Sequence, residues 1–112
     1  MSDPVAEALD LVRRDCEARV PEDVRDEVLI EADRRGRTIE IVERHAPWNP
    51  DFGTEWSSVR VAQLRFDPAH GVWTLHARIG DRWTRHPDTA AAPDVARLLG
   101  VLDEDPYALF WG

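Results

Sequence analysis

Lysine is absent from this chain of 112 residues, in which all fourteen cationic side chains are arginine. Its absence excludes a Schiff-base lysine, a lysine general base and the lysine of a phosphate-binding P-loop. It also points to a GC-rich bacterial genome, which favours arginine codons. Cysteine is nearly absent: Cys16 stands alone, so no disulfide can form within the chain. Its helical spacing from Val12 and Val20 predicts a buried thiol in a reducing compartment. No apolar run approaches the ~18 residues of a spanning helix, and Ser2-Asp3-Pro4 is not a signal-peptide start. The expectation is a soluble cytoplasmic protein with no membrane partner. The scattered glycines make no phosphate cradle, and Ser57 and Ser58 lie in no nucleophile elbow.

What is present is charge with a polarised layout and a large share of tryptophan. Residues 1–34 carry eleven acids against five arginines, whereas residues 57–86 carry two acids against five arginines. The net charge of −8 therefore hides a basic, aromatic island between acidic ends. An acidic protein binds polyanions poorly, so nucleic acid is a possible but disfavoured partner. The chain closes on Phe110-Trp111-Gly112, and two large apolar side chains at a terminus are expected to dock on the protein's own core.

Hydrophobic periodicity places the elements. Asp3 followed by Pro4 is a helix start, and Val5, Leu9, Val12 and Cys16 form one apolar stripe that Pro21 ends. From Asp26 the period becomes two. Val28, Ile30 and Ala32 alternate with Leu29, Glu31 and Asp33, and a loop of Arg35-Gly36 predicts a hairpin with Ala32 opposite Ile39 and Glu31 opposite Glu40. The segment from Ala46 to Trp56, with Pro47, Pro50 and Gly53, is an irregular connector. Strands follow over Ser57–Phe66 (Ala62, Leu64 and Phe66 on one face, Val61, Gln63 and Arg65 on the other), Val72–Ile79 and about Arg82–His86. Pro93 opens a second helix through about Glu104, with Val95, Leu98, Leu99 and Leu102 on its buried face. The fold class is α+β in one domain over residues 1–112: an antiparallel sheet of about five strands, a hairpin plus a three-stranded meander, flanked by an N-terminal and a C-terminal helix.

At Glu43-Arg44-His45-Ala46-Pro47-Trp48 the chain stops looking generic. With Pro21-Glu22-Asp23-Val24-Arg25, Val61-Ala62-Gln63-Leu64-Arg65-Phe66, Val72-Trp73-Thr74-Leu75, Trp83 and Asp105-Pro106 before Phe110-Trp111-Gly112, it resembles the bacterial family known as domain of unknown function 3024. The resemblance runs from about Pro21 to the last residue, with His45-Ala46 where the family pattern has Arg-Pro. It implies no activity, cofactor or catalytic residue.

Two constellations carry chemistry. Glu31, Asp33 and Glu40 share the outer face of the first hairpin, where opposed carboxylates can bind a divalent metal for hydrolysis. Glu43 weakens that set by falling on the Ile39/Ile41 face, with His45 after it. His45, His70, His76 and His86 sit on separate elements, so no metal or other cofactor is expected. The basic and aromatic constellation is Arg44, Trp48, Arg65, Arg78, Trp83 and Arg85. If the last hairpin closes over Gly80-Asp81, Arg78 opposes Trp83 and His76 opposes Arg85, which gives guanidinium groups beside an indole. A three-residue loop would instead turn Trp83 into the core, and the hydrophobic pattern alone does not choose. Trp48 is open between a binding anchor and a lid. The leading expectation is a noncatalytic binding or adaptor module for a protein partner or a small planar anion; the alternative is a small metal-dependent hydrolase.

Overall fold

In a computed structural model that describes residues 3–49, 51 and 53–111, the chain forms two helices and a five-stranded antiparallel sheet. Pro50 of the connector and the terminal Gly112 lie outside the described residues. Helix α1 spans Pro4–Ala18; a 3-10 turn at Glu22–Val24 leads into strands β1 (Val28–Arg35), β2 (Thr38–His45), β3 (Ser57–Asp67), β4 (Val72–Ile79) and β5 (Arg82–Arg85), and α2 spans Val95–Glu104. The strands lie in sequence order, each paired with the next. No helix among the described residues is long and apolar enough to cross a membrane.

Local chemistry explains the helix ends. The Asp3 carboxylate accepts from the Val5 and Ala6 amides at 3.0 and 3.2 Å, and its other oxygen takes Arg34 Nη1 at 2.7 Å. The Arg34 hydrogen bond and the helix amides hold that carboxyl below its usual range. The second helix is capped by Asp94, whose Oδ1 accepts the Ala96 amide at 2.9 Å, so it starts at Val95 and Pro93 precedes the cap.

The apolar stripes of both helices meet one face of the sheet. Val12, Cys16, Ile39, Ile41, Leu64, Leu75, Leu98 and Leu102 are the largest fully buried side chains, and they belong to one cluster. Burial raises the Cys16 thiol to about 11, which leaves it a neutral packing group.

One register and one alternation differ from the expected ones. The first hairpin turns over Gly36-Arg37, with Arg35 paired to Thr38, Ala32 to Ile41 and Asp33 to Glu40. Gly36 has φ +59, and a Gly-first loop demands positive φ only of glycine, whereas Arg35-Gly36 would have centred the loop one residue earlier. The slide keeps the parity, so the apolar faces still coincide, but Glu31 now opposes Val42 rather than Glu40. In β3 an extra residue interrupts the ladder to β2: Ile41 pairs with Ala62 and Val42 with Arg60. This bulge turns Val61 inward beside Ala62, so both are buried, contrary to strict alternation.

The C-terminal segment docks as its composition predicts. Phe110 is buried, and its ring stacks on His86 with centroids 5.2 Å apart and planes at 15°. Trp111 is half-buried rather than fully so; its Nε1 donates to the Leu102 carbonyl at 2.9 Å, and the Arg19 guanidinium lies 5.4 Å from its ring. Asp105 organises the docking from a left-handed conformation, φ 44, just past α2. Its carboxylate accepts from the amides of Leu109 (2.8 Å), Phe110 (3.2 Å) and Trp111 (2.9 Å).

Candidate binding face

With both helices on one side, the other side of the sheet is left uncovered, and parity decides what it presents. Glu31 and Asp33 come from β1, Glu40 and Arg44 from β2, Arg60, Gln63 and Arg65 from β3, Thr74, His76 and Arg78 from β4, and Trp83 and Arg85 from β5. The last hairpin closes over Gly80-Asp81, pairing Ile79 with Arg82, Arg78 with Trp83 and His76 with Arg85. Gly80 carries φ +63 in the first loop position, the same device as Gly36. Trp83 therefore stands outside the core, half-buried, with the Arg78 guanidinium 5.5 Å from its ring.

The face divides into two halves. On the β1–β2 side two of the three acids are matched: Arg44 Nη1 reaches Glu31 at 3.5 Å, and Arg60 Nε reaches Glu40 at 3.2 Å. Arg44 also lies 6.0 Å from the Trp56 ring. These pairings occupy two of the carboxylates a metal would need. Among the described residues no group of three or more histidine, cysteine or acidic side chains could hold a metal ion.

On the β3–β5 side, Arg65, Arg78 and Arg85 form no ion pair among the described residues. Arg65 is steadied by neutral means: its Nε donates to Gln63 Oε1 at 3.0 Å, and Gln63 Nε2 donates to Glu40 at 3.4 Å. His76 sits in the middle. It is buried, its Nε2 lies 2.9 Å from Thr74 Oγ1, and its cross-strand neighbours are Gln63 and Arg85. Desolvation first, then the positive charges of Arg65 and Arg85, lower its pKa to about 4 from an ordinary 6.5.

The six residues singled out from sequence thus separate. Arg65, Arg78, Trp83 and Arg85 come together; Arg44 shares the face at its far corner, already engaged by Glu31. Trp48 lies off the sheet in the connector, 88% exposed, and is not a lid on the core. His76 and Gln63 were missing from the set. The alternating pattern does place both on the Arg65 and Arg78 face, yet only the register brings them into one row.

The lowered pKa has a measurable consequence. Unfolded, His76 takes up a proton near pH 6.5; folded, only near 4. Between those values the unfolded state binds more protons, so this side chain makes stability fall as the pH drops through that window. Denaturant unfolding across it is expected to show a shallower loss for His76→Gln than for the wild type. Equal slopes would mean that the ring titrates normally.

A family match covers the whole face and nearly all of the chain: the family described as Domain of unknown function (DUF3024) matches residues 2–112. The chain belongs to the DUF3024 family. No curated protein and no solved structure is detectably similar to it. For this DUF3024 chain, function has to be read from the geometry.

Proposed function

We propose that this DUF3024 protein is a noncatalytic binding module that takes an anionic partner on the β3–β5 half of its open sheet face. The carrying observation is that Arg65, Arg78 and Arg85 share that half with a half-buried indole and with no carboxylate partner among the described residues. Unpaired guanidinium groups beside tryptophan are what partner-binding surfaces use, because both give contact area and directed hydrogen bonds without a large loss of side-chain freedom. Acidic surroundings sharpen the preference: the net charge of −8 keeps polyanions off the rest of the molecule and leaves this patch as the place where an anion is welcome. An acidic protein segment fits this balance better than nucleic acid does. A single buried thiol, raised to about 11, agrees with a cytoplasmic setting.

A fluorescent oligoglutamate peptide and a single-stranded oligonucleotide of similar charge, titrated into the ¹⁵N-labelled protein, test this. The peptide is expected to perturb β3–β5 amides, with affinity falling as salt rises and about tenfold weaker for Arg78→Gln/Arg85→Gln. Tighter oligonucleotide binding, with a steep salt slope, would reassign the partner to nucleic acid. Perturbations spread over the helices, or none at all, would overturn the proposal.

A further inference from the structure

We infer that Arg65, Arg78 and Arg85, set around His76, form a seat for a phosphomonoester, which deepens the binding reading above and rests on it. Strand register supplies the geometry. Arg85 is directly across from His76 on β5; Arg65 is paired to Thr74, two residues along β4 from His76, and Arg78 is two residues along in the other direction. Strands β3 and β5 lie about 10 Å apart across β4. The three arginines thus flank His76 on one face, Arg65 held by Gln63 and Arg78 lying against the Trp83 ring, within the reach of long side chains to an anion seated over the imidazole.

The number of donors selects the anion. A planar carboxylate carries one charge and is satisfied by the fork of a single guanidinium, leaving two arginines crowded beside it. A phosphomonoester carries close to two charges at neutral pH and offers three oxygens in a tetrahedral array. It can accept from all three arginines at once. Removing the mutual repulsion of those cations adds to the gain.

The floor is already prepared for an anion. Among the described residues that face His76 there is no free carboxylate: Gln63 lies across from it on β3, Arg85 on β5, Arg65 on the β3 diagonal and Arg78 two residues along β4 itself. Glu40, next in the same row on β2, is held by Arg60. The Thr74 contact at 2.9 Å fixes the ring. A dianion seated there favours the imidazolium by its own charge and by screening the arginines, so occupancy raises the His76 pKa above about 4, against the desolvation that is the larger cause of its lowering.

Two sources share this chemistry, a free phosphomonoester and a phosphorylated side chain of a partner protein. Inorganic phosphate, O-phosphoserine, a phosphoserine peptide and glutarate are titrated against the full chain, with the arginine Nε–H and histidine ring resonances as readouts. O-phosphoserine is expected to shift the Arg65, Arg78, Arg85 and His76 signals, to raise the His76 titration midpoint, and to bind about tenfold more weakly to Arg65→Gln and to Arg85→Gln. Arg37→Gln, in the first hairpin loop, serves as the control and is expected to bind as the wild type does.

A phosphopeptide that binds tighter than O-phosphoserine identifies the source as a modified partner; equal affinity identifies a free phosphomonoester. Glutarate binding as tightly as O-phosphoserine would overturn the choice of phosphate. So would phosphate-induced shifts that leave His76 unchanged. If the phosphate arms fail while oligoglutamate still perturbs β3–β5, the seat is wrong and the binding face stands; failure of both removes both.

Discussion

Removing residues 109–112 is expected to destabilise the protein by about 3–5 kcal/mol, the cost of taking a large aromatic side chain out of a packed site. Phe110 is the main contributor, buried to 8% exposure and stacked on His86. Trp111 adds the Nε1 bond to Leu102 and the contact with Arg19, both at a half-exposed position and therefore worth less. One term offsets part of the loss. His86 Nε2 is buried with no hydrogen-bond partner among the described residues, and uncovering the ring lets water reach it. For a domain that holds about 5–15 kcal/mol in all, the loss is large, and the melting temperature is expected to fall by more than about 10 °C. Differential scanning calorimetry of the truncated and full chains decides. A truncated chain melting within a few degrees of the full one would mean that the segment contributes no packing.

Asp105→Ala should approach the effect of that truncation, at about 2–4 kcal/mol, although it removes only one small side chain. The carboxylate gathers three successive backbone donors, and hydrogen bonds to a charged acceptor are worth more than neutral ones. Alanine also tolerates the left-handed φ of 44 less well than aspartate does. Asp105→Asn, which keeps one oxygen and the backbone tolerance, is expected to fall between. The diagnostic is coupling. In the truncated chain all three donors are gone, so Asp105→Ala is expected to cost less than about 1 kcal/mol there. Additive losses in the double variant, measured by denaturant titration, would show that Asp105 acts on α2 and not through the tail.

How much of this was visible beforehand depends on the kind of information each feature needs. Parity is local, so Val28, Ile30 and Ala32 shared a face with Ile39 and Ile41 in the expectation as in the structure, even though the hairpin slid by one residue in each strand. The slide itself came from turn chemistry, since either Gly36 position satisfies the alternation. Val61 was misplaced for a different reason. A bulge breaks the period of two, and nothing in the run Val61-Ala62-Gln63-Leu64 marks where the extra residue goes.

The candidate face shows the same division. Residue order alone determined that arginine would be the only fixed cation, that the stretch from Ser57 to His86 would carry a net positive charge, and that helices would bracket an antiparallel sheet, because composition and period are properties of the chain itself. The tertiary structure decided that Trp83 stands outside the core, that Glu31 and Glu40 are taken by Arg44 and Arg60, and that Arg65, Arg78 and Arg85 surround His76. Those facts depend on which residues of separate strands lie opposite one another. Register is set by the whole sheet with its turns, its bulge and the helices on its other face, and a single strand carries no record of it.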